Sequence, residues 1–163
     1  MTSSRNFSST KEILLLGGGH THALVLKALK RNPIPGVRVV VISDSPYAAY
    51  SGMLPALVER QRSFSEAHID IAALANCVDA LFIEDSVIGL DADRSVVTLQ
   101  KRGEVEGDVL SLNVGILSPV PIRIAQSGDV VSVKPVGPFL QWLATLEDSL
   151  RGTHKRIAVV GGG

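Results

Sequence analysis

The chain of 163 residues is poor in several things, and each shortage excludes a class of function. It has one cysteine, Cys77, so no disulfide can close within it, and that usage fits a reducing compartment. Its sixteen basic and sixteen acidic residues cancel. Zero net charge argues against a field built to attract nucleic acid or anionic lipid. No apolar run approaches the roughly 20 residues that a membrane helix needs. His20, His22, His68 and Asp70 follow no zinc-ligand spacing, and two histidines at i and i+2 on a helix face different ways, so no metal site is expected.

What the chain does have is 45% hydrophobic residues against 20% charged, the balance of a globular protein with one well-buried core. The first ten residues are rich in serine and threonine and contain no acid; residues 1–11 are expected to form a disordered tail.

The most informative pattern occurs twice. Ile13-Leu14-Leu15-Leu16 runs into Gly17-Gly18-Gly19, and Ile157-Ala158-Val159-Val160 runs into Gly161-Gly162-Gly163. A continuous apolar run reads as a strand buried on both faces of a parallel sheet, and the glycines let the backbone turn tightly toward a pyrophosphate at a following helix N-terminus. Two copies imply two nucleotide-binding units, the second only begun within this chain. Around the first copy, the spacing predicts a helix from His20 to Arg31 with Leu24, Val25, Ala28 and Leu29 on one face. A β-branched strand over Val37 to Ile42 follows, so the whole has the size of a βαβ unit.

Further along, Ser63-Phe64-Ser65-Glu66 has the spacing of a capping box and should open a helix running through Ile69, Ile71, Leu74 and Ala75. Phe82 to Leu90 and Ser95 to Leu99 read as two strands of a small antiparallel excursion. Gln100 to Gly107 is a polar segment, and Val109 to Val114 is another strand. Pro119, Pro121, Pro135 and Pro138 mark a connection. Phe139, Leu143, Leu146 and Leu150 then fall on one helical face, with Gly152 past its end. The expected organisation is a Rossmann-like α/β domain over 12–118, a linker and helix over 119–154, and the opening of a second nucleotide-binding domain over 155–163.

The loop departs from the G-x-G-x-x-G fingerprint. Gly17 and Gly19 take the first two places, but the third is His22, in GGGHTH. A tight strand-to-helix turn without a ligand remains an alternative. An acid that binds a ribose is expected near the end of the second strand, where Ser43-Asp44 stands. Either residue could take that slot, or Asp44 could be a turn residue before Pro46. Cys77, among Leu74, Ala75 and Val78, reads as a small buried apolar residue without redox chemistry. Trp142 reads as a packing residue.

The segments GGGHTHALVL (17–26), YSGMLPALV (50–58), AHIDIAAL (67–74), DVLSLNVG (108–115) and VKPVGPFLQW (133–142) together resemble the pyridine nucleotide-disulfide oxidoreductase-type flavoproteins. The branch most similar is that of the type II NADH dehydrogenases, including the oxidoreductase domain fused to selenide, water dikinase. The resemblance implies a first domain binding FAD, an inserted domain binding NAD(P)H, and a later segment completing the flavin site. It places Gly17, Gly18 and Gly19 at the FAD pyrophosphate with His20 and Thr21 at the helix start. The ribose contact falls to Ser43 or Asp44. Ser51, Gly52 and Met53 lie in the stretch that passes the isoalloxazine, Val87 lies beside the adenine, and Gly115 ends the closing strand. Gly161 and Gly163 open the NAD(P)H loop. Histidine-containing versions of the glycine loop occur in that branch.

The disulfide enzymes of the superfamily use a cysteine pair beside the flavin, and this chain has a single cysteine. The resemblance therefore implies an FAD-dependent NAD(P)H oxidoreductase that passes electrons to an external acceptor such as a quinone, with no side chain named as a catalyst. On this reading the chain is an N-terminal fragment, inactive alone, with a cytoplasmic, organellar or membrane-peripheral location. A fused C-terminal domain would exist in the parent, and an exposed apolar face on the 138–151 helix would favour self-association. The rival reading is a non-catalytic module that binds a nucleotide weakly or packs against a partner.

Overall fold

The computed structural model describes residues 10–115, 130–150, 154 and 156–161. They belong to two units, one reaching Gly115 and one beginning at Ile116. In the first unit, β1 (Lys11–Leu16), α1 (His20–Arg31) and β2 (Val37–Ser43) form the anticipated βαβ step, with Leu14 opposite Val40 and Leu16 opposite Ile42 in parallel register. With β5 (Leu81–Glu84) beside β2 and β9 (Val109–Leu112) beside β1, they make a four-stranded, all-parallel sheet in the order β5-β2-β1-β9.

The apolar runs are explained by cover on both faces. Leu14, Leu16, Val40 and Ile42 pack on one side against Val97 and Leu99. Leu15, Val39 and Val41 pack on the other against Ala23 and Leu26 of α1 and against Ile71 and Ala75. Alternation along each strand sends successive side chains to opposite faces, so two cores require apolar residues at every position. Each such Leu, Ile or Val contributes about 1.5–3 kcal/mol of gross burial, and truncating Leu14 or Leu15 to alanine would cost about 2–5 kcal/mol.

Between β2 and β5 the chain makes β3 (Tyr47–Ala49), a 3₁₀ turn (Ser51–Met53), α2 (Leu54–Val58), α3 (Phe64–Ala67), β4 (His68–Asp70) and α4 (Ile71–Asn76). The capping box is present, Ser63 N–H donating to Glu66 Oε2 at 2.8 Å. The helix it opens is shorter than the sequence predicts. It stops after Ala67, because His68–Asp70 pairs antiparallel with Tyr47–Ala49, and α4 starts anew where the Asp70 carboxylate accepts from Ala73 N–H at 2.8 Å. A strand alternation and a fresh N-cap at Asp70 override the helical spacing.

The expected strand Phe82 to Leu90 is also two elements. β5 belongs to the parallel sheet, whereas β6 (Val87–Asp91) pairs with β7 (Val96–Leu99), itself paired with β8 (Gly103–Glu106). The break is at Asp85, whose carboxylate accepts from the N–H groups of Ser86 (2.8 Å) and Lys101 (3.2 Å). β8 lies inside the segment read as merely polar. It is a half-exposed strand in which only Val105 turns toward the core, so its composition hides it. Gly107 then lets this small sheet approach β1, since a Cβ there would lie 2.6 Å from Leu14 Cγ.

In the second unit, α5 (Val136–Ser149) bears out the helix expected around Pro138, and Trp142 stacks on Phe139 with ring centroids 5.9 Å apart. Residues 156–161 carry no regular secondary structure, and Val159 and Val160 are 89% and 96% exposed. The strand expected at Ile157 to Val160 is thus not formed, since no described residue pairs with it. Residues 1–9, Pro119, Pro121, Gly152, Gly162 and Gly163 lie outside the described residues.

Candidate functional site

Three strand ends meet at the carboxyl edge of the parallel sheet: β1 at Gly17, β2 at Ser43 and β9 at Asn113. Open parallel sheets bind ligands at this edge. Gly17 turns with φ +91°, a left-handed conformation that favours glycine, and its N–H donates to Ile42 O at 2.7 Å. Gly19 is the N-cap of α1, and no side chain caps that helix. The amides of its first turn, including those of His20 and Thr21, therefore point outward with no partner inside the helix, while positive partial charge collects there.

The glycines are required by close approach. A Cβ at Gly19 would overlap Asn113 Oδ1 and lie 2.8 Å from Asn113 O, and one at Gly17 would lie 2.9 Å from Val114 Cα. Gly18 faces the other way, its Cβ position 3.0 Å from Ser43 Oγ. Gly19 N–H donates to Asn113 O at 3.3 Å and Asn113 N–H to Leu16 O at 2.8 Å. The loop is thus laced to the end of β9.

His22, where the fingerprint has its third glycine, is fully buried on α1. Its Nδ1 lies 2.6 Å from Gly17 O and its Nε2 3.0 Å from Ser111 Oγ on β9. A carbonyl only accepts, so Nδ1 carries the proton, and in the neutral ring Nε2 accepts from the Ser111 hydroxyl.

Of the residues expected at the ribose, Ser43 is buried and turned toward Gly18, while Asp44 is exposed. The Tyr50 to Met53 stretch does come to the loop: the Tyr50 ring lies 4.6 Å from that of His20, and a Cβ at Gly52 would lie 3.3 Å from the Tyr50 ring. Val87 opens β6 at half-burial, and Gly115 leaves the unit with φ +81°. Gly161 is in the second unit.

Sequence reasoning missed Ser111 and Asn113. The polar residues interrupting the apolar run Val109 to Val114 were the available signal. Asn113 Oδ1 is buried and has no hydrogen-bond partner. Cys77 was expected to be buried; it is exposed, because α4 ends at Asn76 and turns the thiol away from the core. His68 Nδ1 lies 2.8 Å from Phe64 O, with the Phe64 ring stacked on its own at 3.6 Å, and Asp70 caps α4. No group of three or more metal-ligating side chains occurs among the described residues.

The charged groups elsewhere hold strands together. Burial acts to raise the Asp85 pKa, but the Ser86 N–H, the Arg102 guanidinium (3.1 Å) and the Lys101 N–H outweigh it, leaving the carboxyl below its ordinary value. Asp108 is likewise lowered, chiefly by Lys11 Nζ at 2.6 Å and by Glu12 N–H at 2.7 Å. That pair lies at the amino edge of the sheet, away from the loop.

No family model matches the chain. A sulfide-quinone reductase of Aquifex aeolicus (strain VF5) is 28% identical over 105 residues, covering 64% of this chain and 24% of the relative. The solved sulfide:quinone oxidoreductase of Aquifex aeolicus aligns at 29% identity over 61% of this chain and 23% of its own, with TM-score 0.52. A putidaredoxin reductase, in covalent complex with putidaredoxin, aligns at TM-score 0.59 and 16% identity over 74% of this chain and 30% of that one. NDH2 of Plasmodium falciparum, in complex with NADH, aligns at 0.53 and 17% over 68% and 23%. The chain has the FAD/NAD(P)-binding fold of the pyridine nucleotide oxidoreductases.

In this fold the parallel sheet stands as the sequence pattern predicts, while the small antiparallel sheet is β6-β7-β8, without Leu81–Glu84 and with Gly103–Glu106 added. The chain spans about a quarter of the length of the curated relative that it matches. No described helix is long and apolar enough to cross a membrane.

Proposed function

We propose that this chain supplies the FAD-binding part of a flavin-dependent NAD(P)H oxidoreductase that works without a redox disulfide and delivers electrons to an external small acceptor, a quinone being the leading candidate. The observation that carries the proposal is the triple-glycine turn at the carboxyl edge of a parallel sheet, leading into a helix whose first turn no side chain caps. Such a terminus suits a pyrophosphate. The quinone is argued from the similarity to a sulfide-quinone reductase.

The residues present fit the cofactor. Gly17, Gly18 and Gly19 would bring the backbone close to the pyrophosphate, with the amides of His20 and Thr21 facing it. Of the two ribose candidates, Asp44 has the accessible carboxylate, since Ser43 is occupied against Gly18. Val87 would lie toward the adenine, Gly115 would end the cradle, and Ser51, Gly52 and Met53 would run beside the ring system, with the Tyr50–His20 contact fixing that stretch to the helix start. Gly161 and Gly163 would belong to the loop for NAD(P)H. When bound, FAD supplies the chemistry, taking a hydride and releasing electrons to the acceptor. The chain's own residues bind and orient it.

The test is direct: the purified chain is incubated with FAD, passed through a desalting column and examined for flavin absorption and fluorescence quenching. Retained flavin that ADP displaces is the expected result. No retention, and no quenching up to millimolar FAD, would overturn the proposal in favour of a non-catalytic packing module.

A further inference from the structure

We propose that His22 is a positioning residue for the phosphate-binding loop, taking over by hydrogen bonding the task that the third glycine performs by its small size. The inference rests on the proposed FAD site, but its geometric part does not. In the fingerprint the third glycine permits close packing of helix on strand, which holds the preceding turn in place. A histidine there would be expected to force the helix away. It does not, because its ring is swallowed whole, 0% exposed, between α1 and β9.

Both ring nitrogens are used. Nδ1–H donates to Gly17 O at 2.6 Å and Nε2 meets Ser111 Oγ at 3.0 Å. Gly17 is therefore fixed from two directions, its carbonyl by His22 and its N–H by Ile42 O of β2 at 2.7 Å. One side chain joins the turn, the first turn of the helix and the neighbouring strand. The carbonyl of Gly17, held inward, leaves the following amides to point outward at the helix start.

The discriminating variant is His22→Ala, which puts an allowed small residue at the third fingerprint position while deleting the clamp. If the histidine merely fills space, this change leaves FAD affinity equal or better. If it positions the loop, the dissociation constant for FAD should rise about tenfold, the scale of one buried hydrogen bond. Val39→Ala, in the core opposite Ile13 and toward the amino edge of the sheet, controls for general loss of stability and should shift the constant less than about twofold. Ser111→Ala removes one of the two bonds and should fall between, which covers the case of a His22→Ala chain that does not fold.

A second readout needs no cofactor. Nitrogen-15 imidazole spectra of the chain alone should show His22 as the Nδ1–H tautomer, and the Gly18 and Gly19 amide signals should shift or broaden in both His22→Ala and Ser111→Ala. A parent chain that binds no FAD yet shows these signatures would defeat the proposed function and leave the clamp standing. Unchanged FAD affinity in His22→Ala, an Nε2–H tautomer, or equal losses in the Val39→Ala control would overturn the clamp.

Discussion

At the scale of single residues, the glycine loop is intolerant for a reason that the sequence pattern misplaces. The fingerprint suggests that bulk at Gly19 would occupy pyrophosphate space. In the structure a Cβ at Gly19 points at Asn113, whose side chain could rotate but whose carbonyl, 2.8 Å away, is part of the strand end. Gly19→Ala is therefore expected to destabilise the chain itself, by about 1–3 kcal/mol in urea unfolding, before any ligand is added. Gly19→Val should do more and abolish FAD binding as well. An alanine variant of unchanged stability would show that the strand end yields. Cys77 behaves in the opposite way. Being exposed, it should react at once with a thiol reagent in the folded chain, and Cys77→Ser should alter stability by less than about 0.5 kcal/mol. A thiol protected until unfolding would contradict this placement. Asp85 is the sensitive acid: Asp85→Ala leaves the Ser86 and Lys101 amides without their acceptor and Arg102 with only the Glu84 carbonyl, and should lower the melting temperature markedly at pH 7, with Asp85→Asn between. Because its folded-state pKa is lowered, its contribution is present above the ordinary carboxylate range and lost as pH falls through the folded value.

At the scale of elements, legibility in the sequence followed burial. The bounds of β1, α1 and β2 were readable almost to the residue, because a strand covered on both faces must be apolar throughout. The inward face of α1 was not: Leu24 and Ala28, expected on it, are exposed, and the helix buries His22, Ala23 and Leu26, a stripe that the polar His22 disguises. β4 and β8 were not, since three- and four-residue strands with polar or mixed side chains are specified by their partners. For the same reason Ser111 and Asn113 escaped notice. Their role exists only once β9 lies beside β1. The capping box was legible because it is local, and it makes a local prediction. Glu66 is held from 4.5 down to about 2, first by the Ser63 N–H, then by the Arg62 and Ser63 side chains. A lowered carboxylate stabilises above its unfolded value, so the cap should be intact above about pH 4.5 and be lost as pH falls through about 2. The Ser63 amide proton shift should report that midpoint. Glu66→Gln, which can still accept from the amide but does not titrate, should abolish it, and a midpoint surviving in the glutamine variant would assign the transition to another group.

At the scale of the whole molecule, the question is how much of the proposed two-nucleotide reaction this chain can perform. Hydride transfer between NAD(P)H and a flavin requires both dinucleotides to be held with their reactive atoms together, since most of the advantage of an enzyme over free reactants is positional. The described residues offer one candidate cradle, the proposed FAD site at the carboxyl edge of the β5-β2-β1-β9 sheet. The second glycine cluster contributes Gly161 after a stretch that has no regular structure and pairs with no strand among the described residues. The 163-residue chain is therefore expected to bind FAD and yet not to turn over NADH. With FAD, NADH and a short-chain quinone present, its rate should match that of free FAD at the same concentration, and raising the chain concentration should lower the rate by sequestering the flavin. Steady NADH oxidation that rises in proportion to the chain would show instead that these residues assemble a working nicotinamide site, and His22→Ala would then separate loss of flavin from loss of that site.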